Sequence, residues 1–384
     1  MKRLEDFLSY GKQSIDEEDI EAVVSTLRSP FLTQGPKVEE FEKKLADYVG
    51  AKYAVAFSNG TAALHGACYA AGIREGDEVI TTPITFAATS NAVLYCGGTP
   101  VFADIDVATY NIDPEEIKKK ITTKTKAIIP VDFTGQPVDL DAIMSIAKEH
   151  NLLVIEDGAH SLGAYYKGRK VGSQADMTMF SFHPVKPITT GEGGIITTDS
   201  KQYYEKLKLF RSHGIQKTPY SLEQGDWYYE MTDLGFNYRM NDIQASLGIS
   251  QLNKLDDFVE RRKEIAALYN EKLADIPGII LPKQLEETES GWHLYMIQLD
   301  GRLVKKSRRE VFEEMRALNI GVHVHYIPVY WHPYYRELGY ERGICPVTER
   351  WYERALTLPI FPGMNEKDVN DVVGALKSVL GLSD

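Results

Sequence analysis

The sequence predicts a two-domain α/β protein whose larger domain is built on a mostly parallel sheet. Three observations carry that expectation. The chain has 384 residues, too many for one small core and enough for two or three domains. Through its first half, short β-branched runs alternate with segments of helical period, the rhythm of a sheet covered by helices on both faces. Past about residue 250 strand and helix signals recur more sparsely, as in a smaller α+β unit. The expected division is 1–250 and 251–384.

In chain order, Asp16 to Leu27 reads as a helix with acidic residues in its first turn, and Val38 to Val49 as a second, amphipathic one. Strands are expected at Tyr53 to Phe57, Glu78 to Thr82, Pro100 to Asp104, Ala127 to Asp132 and Leu152 to Glu156. Helices fall between them at Ala62 to Ala71, Ala87 to Tyr95, Pro114 to Lys120 and Asp139 to His150. Asp176 to Phe182 and Gly194 to Thr198 read as two strands joined by a turn, the gap being too short for a helix. One long helical region, Asn241 to Leu273, leads into the second unit. There His293 to Leu299 and Gly321 to Tyr326 read as strands, and Ser307 to Leu318 and Glu366 to Leu380 as helices.

Composition excludes several classes. Apolar residues at 43% and charged residues at 26% are those of an ordinary folded chain, so disorder and coiled coil do not describe the whole. With 43 basic and 55 acidic residues the net charge is -12, which repels phosphate backbones and argues against nucleic acid as a partner. Cys68, Cys96 and Cys345 are odd in number and far apart, so neither a zinc site nor a disulfide framework is expected. The opening MKRLEDFLSYGKQ lacks an apolar core and no run of about 18 apolar residues occurs, so neither a secretory leader nor a membrane span is expected. These readings point to the cytoplasm and to no metal.

Three segments carry chemistry. Ser58-Asn59-Gly60-Thr61 closes one strand and opens a helix, where free N–H groups and hydroxyls can receive an anion. An N-cap with a tight turn accounts for Gly60 and Thr61 equally well. Leu152 to His160 is a buried-type strand ending in Glu156 and Asp157, at the edge where α/β sites form. Glu156 is expected to face solvent; Asp157 either caps the next turn or binds a ligand nitrogen. In Ser181-Phe182-His183-Pro184-Val185-Lys186-Pro187, a lysine stands between prolines ahead of a Gly-rich turn. Most lysines are solvated, but Phe182, Val185 and Ile188 should hold this backbone inside, leaving a nucleophilic amine near neutral pH. A phosphate cradle, a carboxylate for a ring nitrogen and an imine-forming lysine are together the parts that hold pyridoxal phosphate. Phe86 could stack on one ring face and His160 or its neighbour on the other, or Phe86 could be a core aromatic.

The chain resembles the DegT/DnrJ/StrS sugar aminotransferases of fold type I. The likeness runs from Leu32-Thr33-Gln34-Gly35-Pro36 to Leu358-Pro359-Ile360-Phe361-Pro362. It rests on SNGTAAL at 58–64, EDGAHSLG at 156–163, SFHPVK…TTGEGG at 181–194 and GFNYRMNDIQASLG at 235–248, in that order. It implies that Lys186 forms the imine and acts as general base, that Asp157 pairs with the pyridinium nitrogen, and that Gly60, Thr61 and Ser181 bind the phosphate. The implied cofactor set is Gly60, Thr61, Ala62, Phe86, Asp157, His160, Ser181, Lys186 and Asn237, with pyridoxamine phosphate as the intermediate form. It also implies a homodimer with shared sites, Asn237 reaching the neighbour's phosphate and Arg239 facing the nucleotide-sugar. Pro187 after the lysine departs from many relatives.

Within the family, RSHGI at 211–215, GDWYYEMTDLGFNYR at 225–239 and VHYIPVYWHPYYRELGY at 324–340 are most similar to the transaminases of pseudaminic acid biosynthesis. This implies amination at C4 of a UDP-linked 4-keto-6-deoxy-N-acetylhexosamine with L-glutamate as donor. Tyr10, His325 and Tyr326 are the candidates for the sugar pocket, with packing at a dimer interface as the rival role. Sugar 3-dehydratases of the same fold carry histidine in place of the lysine, which Lys186 disfavours. Regulators built on this fold add a basic DNA-binding domain before it, which this acidic chain does not suggest.

Overall fold

Capping chemistry starts the first two helices. α1 (Glu17–Leu27) opens on a reciprocal box between Asp16 and Asp19, and α2 (Pro36–Val49) on a proline whose missing N–H is not needed in a first turn. The computed structural model describes residues 3–382. Next come β1 (Tyr53–Phe57), α3 (Gly60–Ala70), β2 (Glu78–Thr81), α4 (Ala88–Tyr95), β3 (Thr99–Phe102), α5 (Pro114–Lys120), β4 (Thr125–Ile129), α6 (Leu140–His150), β5 (Leu153–Asp157), β6 (Met177–Ser181) and β7 (Gly194–Thr198). These strands form one seven-stranded sheet in the order β1-β7-β6-β5-β4-β2-β3. The β2–β3, β2–β4, β4–β5 and β5–β6 pairs are parallel, while β7 runs antiparallel to both its neighbours. The sheet is thus mostly parallel, as the strand–helix alternation predicts.

Covering on both faces has a consequence at Glu156. Expected at the surface, it is 1% exposed, because no position of a central strand reaches water. The Thr178 hydroxyl donates to its Oε2 at 2.8 Å, and burial pushes its carboxyl well above the usual range.

After α7 (Lys201–Phe210) the chain makes a small hairpin, pairing Ile215–Gln216 with Glu230–Met231. The long helix expected over 241–273 is two helices, α8 (Asp242–Leu252) and α9 (Leu255–Leu273). No proline or glycine breaks it. The last turn of α8 tightens to Asn253 N–H···O=C Ser250 and Lys254 N–H···O=C Gln251 bonds. At the same point Gln251 and Lys254 are drawn to the start of α1, Gln251 to Ser14 and Asp19, Lys254 to Asp16 and Asp19. Tertiary contacts override a continuous helical pattern that the sequence reads correctly as helix.

A second sheet follows: β8 (Ile279–Ile280), β9 (Tyr295–Leu299) and β10 (Ala355–Leu358), antiparallel with β9 central. α10 (Arg308–Ala317) and α11 (Glu366–Leu380) pack on it. The strand expected over 321–326 is reduced to one bridge, His323 to Thr357, because the chain there leaves the sheet and turns its side chains elsewhere. The core divides along α9. Leu255 and Val259 join a cluster under the large sheet, whereas Ile265, Tyr269 and Leu273 join Tyr295, Ile297, Leu356 and Val372. The start of the chain lies with this second cluster: Leu4 and Leu8 pack against it, and Leu8 N–H donates to Asn319 O at 2.9 Å. The three cysteines are free thiols, Cys68 and Cys345 buried. No helix among the described residues is long and apolar enough to cross a membrane.

Candidate active site

A parallel sheet points its strand carboxyl ends to one edge, and the chemistry-bearing residues gather there. β1 ends at Phe57 and the chain turns through Asn59 into α3; β5 ends in Asp157; β6 ends in Ser181. With the segment before α4 and residues of the C-terminal unit they line one cavity of about 960 Å³. Tyr10, Gly60, Thr61, Ala62, Phe86, Asp157, His160, Ser181, Lys186, His325 and Tyr326 all face it. Two predicted site residues do not. Asn237 is exposed and bridges to Ser212, and Arg239 bridges to Phe57.

The anion cradle is the N-terminus of α3. Asn59 is its N-cap, its Oδ1 accepting from Ala62 N–H at 2.8 Å, which occupies the one donor of Ala62. The N–H groups of Gly60 and Thr61 come before the first intrahelical bond and are free to face a ligand. Glycine is required at Gly194, where a Cβ would fall 2.7 Å from the Asn59 carbonyl; one on Gly60 would stand 3.3 Å from Ser181 Oγ, a tight contact. The Gly-rich turn after the lysine is therefore what lets β7 seat the cradle.

Asp157 is 3% exposed, yet its oxygens are held. Thr89 Oγ1 donates to Oδ2 at 2.7 Å, and Ala159 N–H donates to Oδ1 at 3.1 Å. Thr85 Oγ1 lies 2.7 Å from Thr89 Oγ1, extending the chain. Burial pushes the carboxyl up; the bonds from Thr89 and Ala159 and the charge of Lys186 oppose it. Across the cavity, burial lowers the Lys186 ammonium to about 8, with Asp157 pulling the other way. The two feel each other's charge, but no ion pair or hydrogen bond to Lys186 Nζ is made among the described residues.

Phe86 is 63% exposed, so it is a wall of the cavity and not a core aromatic. A cluster of imidazoles and phenols also lines the cavity, and its Tyr326 ring lies 6.3 Å from that of Phe86. His160 lies with its ring 4.5 Å from that of His293, and its Nε2 is 3.4 Å from Tyr326 Oη. His323 and His325 stack at 4.4 Å, Tyr10 lies tilted against both at 5.1 to 5.2 Å, and His325 Nδ1 contacts Thr357 Oγ1 at 2.9 Å. Burial holds His160, His293 and His325 well below the ordinary histidine range, so they are neutral and can both donate and accept.

Thr89, His293 and His323 are members of this site that the sequence reading does not single out. Thr89 stands one turn beyond Phe86, and His323 stands two residues before His325, the spacing that returns to the same side of an extended segment. Nothing local marks His293, which the tertiary fold brings in.

Comparison with known proteins agrees with this geometry. Residues 13–377 match the profile of the DegT/DnrJ/EryC1/StrS aminotransferase family. The chain is 44% identical over 382 residues to the spore coat polysaccharide biosynthesis protein SpsC of Bacillus subtilis, covering 98% of each. It is 41% identical over 376 residues to a UDP-4-amino-4,6-dideoxy-N-acetyl-beta-L-altrosamine transaminase of Campylobacter jejuni, covering 97% of each. Among solved structures, Helicobacter pylori PseC, an aminotransferase of pseudaminic acid biosynthesis, superposes with a TM-score of 0.92 at 34% identity, over 98% of this chain and 100% of that one. Spr1654 of Streptococcus pneumoniae, 31% identical, is known in pyridoxal and pyridoxamine phosphate forms and superposes with TM-scores of 0.90 and 0.91, over 97–98% of this chain and 98–99% of those. The chain belongs to the DegT/DnrJ/EryC1/StrS aminotransferase family, whose members are pyridoxal-phosphate-dependent sugar aminotransferases.

Proposed function

We propose that this enzyme moves the amino group of L-glutamate to C4 of a UDP-linked 4-keto-6-deoxy-N-acetylhexosamine, the reaction type of a pseudaminic acid pathway. The observation that carries the chemistry is Lys186 and Asp157 lining one cavity, within reach of each other's charge but without pairing. The sugar assignment is supported by the likeness to the Campylobacter transaminase and to PseC. The greater identity to SpsC favours a second reading, another nucleotide-linked keto-sugar bound for a surface polysaccharide.

The residues fit the cofactor. The Gly60–Ser181 approach leaves a cradle that a Cβ would crowd, Asp157 is an acid poised for a ring nitrogen, and Lys186 is an amine partly relieved of its charge. Pyridoxal phosphate, when bound, supplies an electrophilic carbonyl and a ring that accepts electrons from the substrate carbon. In this reading Gly60 and Thr61 N–H and the Thr61 and Ser181 hydroxyls hold the phosphate, with Asn59 and Ala62 shaping the turn. Asp157 holds a proton on the ring nitrogen, Phe86 covers one ring face and His160 borders the other. Lys186 Nζ takes the proton from the substrate carbon and returns it one position away, serving both half-reactions. Tyr10, His325 and Tyr326, with His293 and His323, offer neutral donors and acceptors to sugar hydroxyls.

Lys186 is the one lysine or arginine lining the cavity among the described residues. Two anionic substrates need more positive charge than that. Trp227, Tyr229, Met231 and Leu234 are each 60–79% exposed on the hairpin segment that leads to Asn237 and Arg239. A patch of that kind marks an interface. The reading therefore includes a homodimer in which Asn237 and Arg239 serve the neighbouring site, and a chain divided near residue 250.

Two results test the local chemistry. Thr89→Val removes a hydroxyl donor from Asp157 and should weaken cofactor affinity about tenfold with the fold retained, as measured by fluorescence titration of the apo-protein. The rate at which apo-protein captures the cofactor should rise about tenfold per pH unit and level off near pH 8, as the neutral amine becomes the main form. A rate still climbing toward about pH 10 marks a solvated lysine and rejects the assignment. For the substrate, NMR of products from UDP- and dTDP-linked keto-sugars, with glutamate or glutamine, reads the aminated carbon and its configuration. C4 amination of the UDP-linked sugar with glutamate is expected; turnover confined to 3-keto or dTDP-linked sugars rejects the proposal and leaves the family assignment standing.

A further inference from the structure

Asp157, His160 and His293 line one cavity but come from two segments far apart in the chain, and a single buried loop bonds to both. Loops normally run over a surface, because backbone taken out of water must find partners. Residues 132–138, which follow β4, are all buried, and much of their backbone finds its partners in the site itself. Asp132 N–H donates to Asp157 O at 3.1 Å. Thr134 O accepts from Leu294 N–H at 3.1 Å and Gly135 O from Gly291 N–H at 2.9 Å, so the segment carrying His293 hangs on two carbonyls of the loop. Gly135 is wedged between the histidine-bearing segments. At its φ of +103° a Cβ would fall 2.9 Å from both His160 O and Trp292 N. The Phe133 ring lies 6.2 Å from the rings of His160 and Tyr326.

The side chain of Asp132 ties this loop to the turn of His160. It is 0% exposed. Its Oδ2 accepts from the Ser161 hydroxyl at 2.5 Å, and its Oδ1 from Val138 N–H at 3.0 Å, at the far end of the loop. Ser161 directly follows His160, and its N–H closes the turn on Gly158 O at 3.0 Å. No cation bonds to Asp132 among the described residues. One side chain therefore joins the end of β5, the turn of His160 and the loop that holds the segment of His293.

We propose that Asp132 is a positioning residue for transamination, setting His160 and His293 against Asp157 through Ser161 and the loop 132–138. It does not line the cavity and acts only through the residues it holds. The role rests on the reading of this cavity as the cofactor site, in which His160 borders the ring. Burial pushes the Asp132 carboxyl up to about 7, and the charge of Asp157 adds to the rise. A neutral side chain is thus compatible with the site. Asparagine can keep both ties, its oxygen accepting from Val138 N–H and its NH2 donating to Ser161 Oγ.

Single-turnover reaction of holoenzyme with saturating glutamate, alongside visible circular dichroism of the bound cofactor, tests this. Asp132→Ala should slow the step about 10²-fold and change the dichroism, since a displacement near 1 Å at a reacting centre costs about that much. Asp132→Asn should stay within a few-fold of wild type with its dichroism kept. Ser161→Ala cuts the same tie from the other side and should lose rate and dichroism together; it decides the matter if Asp132→Ala fails to fold. Wild-type rate and dichroism in Ser161→Ala overturn the proposal. An Asp132→Asn variant as slow as Asp132→Ala also overturns it, because the charge and not the position then matters. Wild-type holoenzyme without cofactor dichroism rejects the reading of the cavity itself, and this role with it.

Discussion

Lys186→Ala should lower transamination by at least about 10⁴-fold, roughly 5.5 kcal/mol of barrier. No other amine lines the cavity among the described residues, so no neighbour can take over the proton transfer. His160 and His293 stand close by, but burial keeps both neutral and well below the ordinary histidine range, so they are poor bases for this proton. The variant should still hold the cofactor, because Gly60, Thr61, Ser181 and Asp157 are untouched. Single-turnover kinetics with glutamate, alongside equilibrium binding of the cofactor, separates the two effects. Loss of binding in parallel with loss of rate assigns Lys186 to structure instead.

Asp157→Asn should reduce turnover by about 10³-fold with far less effect on folding. An amide cannot hold a proton on a ring nitrogen, so the ring loses its capacity to accept electrons, while Ala159 N–H can still donate to the amide oxygen and the Thr89 hydroxyl can turn to accept from the amide NH2. The fold should not suffer. Burial raises the folded pKa of Asp157 above its unfolded value, so its ionisation detracts from stability as pH rises through that range, and a neutral isostere is neutral or stabilising. Thermal unfolding of the apo-protein across neutral pH, with kcat for the glutamate half-reaction, checks both parts. Wild-type turnover in the variant contradicts the role given to Asp157.

Much of this was legible in the sequence because local signals and tertiary demands agree. β1, β7 and α6 are short, strongly patterned elements bounded by turns, and the lysine between prolines ahead of a Gly-rich turn lines the cavity. The misreadings come from contacts between distant segments. Glu156 looks like a surface carboxylate until the sheet buries both faces of β5. The break between α8 and α9 follows from Gln251 and Lys254 reaching the start of α1, more than two hundred residues away. Four residues of Ala355–Leu358 carry too little pattern to announce a strand, and β9 supplies the pairing that makes them one. His293 and Thr89 enter the site only because β9 and α4 are carried to the same sheet edge.

In the proposed chemistry one lysine, Lys186, lining a cavity with residues from both ends of the chain, binds the cofactor covalently. Borohydride reduction of purified holoenzyme, followed by peptide mass spectrometry, tests it most directly. Loss of visible absorbance and the cofactor mass on the peptide carrying Lys186 are expected. The cofactor mass on any other lysine, or none on protein saturated with pyridoxal phosphate, contradicts it.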